Sequence, residues 1–314
     1  MCSSDLMDFA GLSGSRCVQL VKKALREAGI DPADLPFEAV QLVGLALDGA
    51  DPRLAGPLDD TQSAKLAELC QKRCQRWPLQ YLAGRWPFLD MELEVGPGVL
   101  IPRPDTEVLC LAAADCARRL GGEADEALAN QLGGWPEAPQ AAPASLSGPP
   151  RLLDLCAGTG CVGLGMARLL PQAQVTAVEK SPDAWTYLAR NTAASRVTPV
   201  QGDVMGLEKT MPGGWWVIAS NPPYVTAREM EELSPEVAHE PEMALLGRDN
   251  GLEFYRYFAA HYPPLLAKGG WLAFEIGAAQ GPAVAGLLRD AGASAVQILP
   301  DGAGRDRVVR GQFL

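Results

Sequence analysis

Apolar positions recur every three or four residues in the first quarter of the chain and give way, after Pro150, to short apolar runs separated by helical stretches. From Arg16 to Ala28, the residues Val18, Val21, Ala24 and Leu25 share one helical face, and Gly29 follows as a stop. Phe37 to Leu47 and Asp60 to Arg76 read as two further helices, the second with Asp59-Asp60-Thr61 as cap candidates and Pro78 beyond its end. Residues 1–77 are therefore expected to form a small helical domain whose patternless start, Met1 to Asp8, frays. Across residues 78–105 the pattern alternates at Met91, Leu93 and Val95, then reaches Gly96-Pro97-Gly98 and Val99-Leu100-Ile101. Alternation flanking such a turn predicts a linking β-hairpin.

Residues 106–314 read as the main domain. Thr106 to Leu120 is helical, and the stretch 121–150, rich in Gly, Ala and Pro, reads as a flexible insertion without a fold element. Strands are then expected at Arg151 to Leu155, Val175 to Val178, Val197 to Val200, Trp215 to Ala219, Trp271 to Ile276, Ala295 to Leu299 and Arg307 to Phe313. Helices are expected at Cys161 to Leu170, Asp183 to Ala194, Leu252 to Ala267 and Gln280 to Ala291. This order predicts an α/β fold, a mostly parallel sheet with helices on both faces and ligands beyond the carboxyl ends of its strands.

Composition narrows the class. At 314 residues the chain exceeds an average domain, and 47% apolar with 21% charged residues is globular usage. The net charge of -11 disfavours direct nucleic-acid binding, which needs clustered Lys and Arg, and favours a protein or small-molecule substrate. Eight cysteines without a CxxC pair, a nearby histidine cluster or a signal peptide fit a reducing cytoplasm, and no metal site is expected. No apolar run is long enough to span a membrane. A cytoplasmic monomer is the expectation.

Candidate chemistry lies at three strand ends. Asp154-Leu155-Cys156-Ala157-Gly158-Thr159-Gly160 runs from strand to helix, where glycines allow close backbone approach and the helix start supplies free N–H groups. An ordinary strand-to-helix turn would look the same. Asp154 either binds the amino group of an amino-acid-like ligand or orients this turn. Glu179 follows about twenty residues on, where α/β nucleotide-binding domains place the carboxylate that holds a ribose. With neither a Walker lysine nor the dinucleotide fingerprint, the ligand reads as a nucleoside without a pyrophosphate. Asp203 and Val204 are placed for its adenine side, or are a turn carboxylate and a core valine. Asn221-Pro222-Pro223-Tyr224 offers an amide, two carbonyls on residues lacking N–H, and an aromatic ring, a set suited to a flat NH₂ group.

Together these stretches resemble the class I S-adenosylmethionine-dependent methyltransferases that act on planar nitrogens, with a Rossmann-like seven-stranded sheet. Pro78 to Gly84, Val99 to Glu107, Glu240-Pro241 with Gly251-Leu252, Glu275-Ile276-Gly277 with Gln280-Gly281, and Gly304 to Arg307 narrow the resemblance to the peptide chain release factor glutamine methyltransferases. It spans nearly the whole chain apart from its start and residues 121–150. The resemblance implies that Cys156 to Gly160 wraps the methionine part of S-adenosylmethionine, that Glu179 holds the ribose, and that Val204 lies by the adenine. It implies that Asn221, Pro222, Pro223 and Tyr224 bind the glutamine of a Gly-Gly-Gln loop, with Asn221, Pro222 and Tyr224 catalytic and S-adenosylhomocysteine as product. The helices of 1–77 would dock the release factor or stabilise the hinge. Cys156-Ala157 stands where the family more often has Gly-Thr, Glu179 where Asp is common, and Val204 where an aromatic residue can occur. A ribosomal-protein glutamine or a nucleic-acid adenine is the alternative acceptor, and a non-catalytic cofactor-binding module the alternative class. No general base is conspicuous: His239 and His261 read as loop and helix-face residues.

Overall fold

The structure, a computed structural model, describes residues 8–123, 125–133, 146 and 148–314. The chain divides into two units, one of Met1–Arg85 with Ser234–His239 and one of Trp86–Leu233 with Glu240–Leu314. The expected fray at Met1 to Asp8 lies outside the described residues except for Asp8.

The first unit is helical: α1 (Gly14–Glu27), α2 (Leu35–Ala46), α3 (Asp60–Cys74) and the single turn α4 (Leu79–Ala83). Ser13 caps α1 by accepting from Arg16 N, and Asp59 with Gln62 forms a reciprocal capping box on α3. α2 begins earlier than its apolar spacing suggests because Pro36 fits the first turn, where no N–H is needed. Val21, Leu25, Leu42, Val43 and Leu66 are fully buried. Arg73 reaches the buried Glu38 through Nε at 2.7 Å and Nη2 at 3.0 Å, and Glu236 through Nη1 at 3.0 Å. Arg76 also bonds Glu236, and the His239 ring lies 4.9 Å from that of Trp77, so Ser234–His239 is held by side chains of this unit.

The second unit opens with a hairpin of β1 (Arg85–Phe88) and β2 (Met91–Glu94), β1 starting on the last residue of the first unit. Its turn falls at Leu89-Asp90, not at Gly96-Pro97-Gly98 as the alternation suggested: Leu89 takes the left-handed conformation, φ +52°, and Glu107 Oε1 accepts its N–H at 3.0 Å. The glycines approach a helix instead. A Cβ on Gly96 would sit 2.3 Å from the Tyr187 hydroxyl, and one on Gly98 2.8 Å from Asp183 Cβ. After α5 (Glu107–Leu120), the stretch expected to lack fold elements carries a helix, α6 (Glu126–Gln131), capped by Asp125. The rest of that expectation, residues 124, 134–145 and 147, lies outside the described residues.

Seven strands follow: β3 (Arg151–Leu155), β4 (Gln174–Glu179), β5 (Val197–Gln201), β6 (Trp215–Ser220), β7 (Leu266–Glu275), β8 (Ser294–Pro300) and β9 (Asp306–Gln312), in the order β5-β4-β3-β6-β7-β9-β8. The first five are mutually parallel and β9 runs antiparallel to both its neighbours. Helices α7 (Cys161–Leu169) and α8 (Pro182–Thr192) join β3 to β4 and β4 to β5. The short turns α9 (Val204–Leu207), α10 (Ala227–Met230), α11 (Glu242–Leu245) and α12 (Arg248–Gly251) precede α13 (Glu253–His261), and α14 (Gly281–Asp290) lies between β7 and β8.

Alternation along each strand splits the core. Leu152, Val217 and Ala219 pack on the face with α5 and α7, Leu153, Leu155 and Ile218 on the face with α13 and α14. The helix expected over Leu252 to Ala267 stops at His261, because Pro263 and Pro264 cannot donate to a helical ladder, and β7 starts at Leu266, ahead of the expected Trp271. In β7, Gly270 comes so near β6 that a Cβ would meet Trp215 O at 2.9 Å, beside a register shift between Trp215 and Val217. The strand order reverses about β3, with β4 on one side and β6 on the other. Leu155 is level with Val178 and Ser220, so the turns leaving all three strands share one edge.

Candidate active site

Cys156 to Gly160 turn the chain from β3 into α7 through left-handed residues, with φ of +60° at Cys156, +55° at Gly158 and +84° at Gly160. A side chain at Gly160 would also collide with Leu188, 2.7 Å from the Cβ position. Below the turn Asp154 is fully buried, with Oδ2 accepting from Gly163 N at 2.8 Å and Oδ1 without a partner among the described residues. Burial pushes its carboxyl up to about 8 against that hydrogen bond, with the Glu179 charge adding to the rise. Glu179, at the end of β4, receives Gly158 N on Oε2 at 2.8 Å and Ser181 N on Oε1 at 2.7 Å. Two backbone donors thus fix its carboxylate, and each oxygen keeps a lone pair.

A cavity of about 650 Å³ opens over this edge. Of the residues singled out in the sequence, Cys156, Ala157, Gly158, Thr159, Glu179, Asp203, Val204, Asn221 and Pro223 line it; Asp154, Gly160, Pro222 and Tyr224 do not. Asp154 therefore orients the turn through Gly163. Asp203 pairs with Lys180 at 2.8 Å and accepts from Met205 N at 2.9 Å; burial raises its pKa, but the two donors outweigh it and the net shift is downward. Val204 is buried, its carbonyl bonded by the Tyr262 hydroxyl at 2.7 Å. Cys156 and Cys161 also line the cavity, and burial raises both thiols, Cys161 to about 12, so neither is a thiolate at neutral pH.

Asn221 follows β6 directly. Its Nδ2 donates to Thr106 Oγ1 at 3.3 Å, and its Oδ1 accepts from no described residue. Tyr224 is held from three sides: its hydroxyl donates to Glu275 Oε1 at 3.5 Å, its carbonyl accepts from Gln280 Nε2 at 3.2 Å, and Gly251 lies so close that a Cβ there would stand 2.1 Å from that carbonyl. The approach is possible because Gly251 has no side chain and takes φ +77°. Glu275, at the end of β7, is almost fully buried. Burial lifts its carboxyl to about 7, restrained by the Thr106 hydroxyl and Arg307 and pushed further by Asp105.

Sequence reasoning gave no role to Thr106, Glu275 or Glu240, although all three lie in the stretches that carry the family resemblance. Glu240 accepts from Ile101 N at 2.9 Å and from the Arg103 guanidinium, fixing the cavity wall at Pro102-Arg103. Neither histidine lines the cavity: His261 stacks beside Tyr257 at 4.4 Å, and His239 lies in the helical unit.

Residues 144–241, which carry the turn, Glu179 and Asn221 to Tyr224, match the family model described as methyltransferase small domain. A relative in Geobacter sulfurreducens named release factor glutamine methyltransferase is 35% identical over 294 residues, 92% of this chain and 93% of the relative. One of the same name in Moorella thermoacetica is 33% identical over 299 residues, 92% of this chain and 95% of the relative. Among solved structures, the hMettl16 catalytic domain in complex with the MAT2A 3'UTR hairpin 1 aligns with a TM-score of 0.50 and 14% identity over 71% of this chain and 75% of that one, a likeness of fold.

Proposed function

The chain belongs to the family of release factor glutamine methyltransferases, and from that premise we propose that it methylates the side-chain amide nitrogen of the Gly-Gly-Gln glutamine of a release factor, using S-adenosylmethionine. The observation that carries this reading is that one cavity is lined both by the left-handed turn with its Glu179 carboxylate and by Asn221, whose Oδ1 is uncommitted.

The residues present fit the cofactor. Gly158 leaves room above the turn, where an added Cβ would meet nothing nearer than Val99 at 3.8 Å. The Glu179 oxygens can accept two ribose hydroxyls while keeping their backbone donors, Val204 offers an apolar side to the base, and Cys156 to Thr159 faces the methionine end. When bound, the cofactor supplies an electrophilic methyl group on a sulfonium.

An amide nitrogen is a poor nucleophile because its lone pair is delocalised into the carbonyl. Asn221 Oδ1, which accepts without donating, holds an amide hydrogen and aims the nitrogen into the cavity, while Pro222 and Tyr224, outside the cavity lining, stiffen the loop behind it. Catalysis is then positioning plus electrostatic stabilisation of the positive charge that develops on the nitrogen. No histidine is required: once methylated, the nitrogen is acidic enough to lose its proton to water.

The net charge of -11 supports a protein acceptor over a nucleic-acid adenine. The test is incubation with labelled S-adenosylmethionine and a purified release factor, beside a factor whose Gly-Gly-Gln glutamine is replaced. Label is expected in the first alone, and equal labelling of both would refute the acceptor.

A further inference from the structure

Resting on the reading just given, we propose that Thr106 and Glu275 are positioning residues that set the polarity of Asn221, so that the site presents a hydrogen-bond acceptor and selects a primary amide over a carboxylate.

An asparagine side chain has a donor end and an acceptor end of nearly the same shape, and nothing in its own chemistry says which end meets the substrate. The choice is made by the group behind it. Here that group is the Thr106 hydroxyl, 3.3 Å from Asn221 Nδ2. A hydroxyl can donate or accept, so Thr106 by itself leaves the choice open. Glu275 closes it. Its carboxyl lies against Thr106 at the end of β7, almost wholly out of water, and in the ionised form it can only accept. The threonine proton is drawn toward Glu275, Oγ1 is left as an acceptor, and Asn221 turns its Nδ2 inward and its Oδ1 outward.

Two further observations point the same way. Thr106 ends a 3-10 turn, Pro104–Thr106, that runs directly into α5 with helical φ −67° and ψ −19°, so its hydroxyl has no helix start to cap, and it is 1% exposed. Apart from the Thr106 hydroxyl, the Glu275 carboxyl meets among the described residues only the long contact from the Tyr224 hydroxyl, at 3.5 Å, so it is not spent on holding the fold. One buried acid thereby backs both Asn221, through Thr106, and Tyr224. The charged and titratable groups facing it are Asp105 before α5, Cys110 on α5, Cys161 on α7, Tyr224, Tyr255 on α13 and Arg307 on β9.

The experiment compares wild type with Thr106→Val, Thr106→Ser and Glu275→Gln for cofactor affinity, for kcat and KM on a release factor between pH 6 and 9, and for binding of acetyl-Gly-Gly-Gln-amide against acetyl-Gly-Gly-Glu-amide in the presence of S-adenosylhomocysteine. Thr106→Val, equal in shape and lacking the hydroxyl, is expected to lower kcat by about 30-fold and to lose the preference for the glutamine peptide, with cofactor affinity within about twofold; Thr106→Ser restores kcat to within about threefold. Wild-type kcat is expected to rise with pH through about 7, as Glu275 ionises, and Glu275→Gln to abolish that rise. The proposal is overturned if Thr106→Val keeps kcat and preference within about twofold, if Thr106→Ser is as impaired as valine, or if Glu275→Gln keeps the pH rise. Should the wild-type enzyme methylate no release factor, the proposed acceptor is wrong. The peptide comparison then still decides polarity: a preference for glutamine that Thr106→Val removes upholds it, and no preference in wild type overturns it.

Discussion

Gly158 donates its backbone N–H to Glu179 Oε2 at 2.8 Å, so the tip of the glycine turn and the end of the neighbouring strand are one rigid piece. A carboxylate already fixed by two amides needs no reordering to receive a ribose. Glu179→Ala should weaken cofactor binding by ~30-fold, the worth of charge-assisted hydrogen bonds at about 2 kcal/mol. Titration calorimetry with S-adenosylhomocysteine measures it, and an affinity within about threefold of wild type would remove Glu179 from the cofactor site.

Gly251 is the second point where backbone approach sets the site. A methyl group there would meet Tyr224 O at 2.1 Å and Gln280 Nε2 at 2.5 Å on a backbone with φ +77°. Gly251→Ala should lower kcat by at least tenfold through displacement of Tyr224, while cofactor affinity is preserved. Gly292, also left-handed at φ +94° but with open space around it, is the control: Gly292→Ala should cost only the backbone strain of about 1 kcal/mol and leave kcat unchanged. Equal kinetic effects at the two positions would contradict the bracing role.

Asp154 carries a pH signature. Burial raises its folded pKa from 3.8 to about 8, so between those values the folded chain binds a proton that the unfolded chain has released, and stability falls as pH rises. Asp154→Asn keeps an acceptor for Gly163 and removes the titration. Relative to wild type it should gain stability steadily from pH 4 to pH 8 and hold a constant difference above that, read by urea denaturation across the range. A pH-independent difference would mean that Asp154 is ionised in the fold.

In the helical unit the buried pair of Glu38 and Arg73 sets another expectation. Removing the carboxylate leaves a guanidinium that is 4% exposed with Glu236 alone. Glu38→Ala should destabilise the protein by about 3 kcal/mol, whereas Glu38→Leu combined with Arg73→Met should cost less than either single change. The denaturation midpoints of Glu38→Ala, the double variant and its two single changes decide this.

The alternation of strands and helices after Pro150 is legible in the sequence because buried parallel strands are short apolar runs bounded by turn residues. The cavity-lining stretch Cys156 to Thr159, with Glu179 and Asn221, is legible because each follows such a run. What the sequence concealed has physical reasons. Leu89 turns the hairpin in a conformation that side chains rarely adopt, so the Gly-Pro-Gly further on looked like the better turn. Gly269 and Gly270 fall ahead of the strand expected from Trp271 and instead lie within β7, where the small size of Gly270 permits close pairing with β6. Asp154, the last but one residue of its strand, points into the core beneath the turn, a matter of strand parity at a position where either reading was open. Thr106 and Glu275 meet Asn221 and Tyr224 from elements 115 and 51 residues away in sequence, and no local pattern marks such a pairing.

The most direct measurement is tandem mass spectrometry of a release factor after incubation with S-adenosylmethionine and either the wild-type enzyme or Asn221→Ala. The account predicts a single added methyl group on the side-chain amide of the Gly-Gly-Gln glutamine with wild type, and none with the variant, which still binds S-adenosylhomocysteine. A methyl group on any other residue, or an unimpaired Asn221→Ala enzyme, would contradict it.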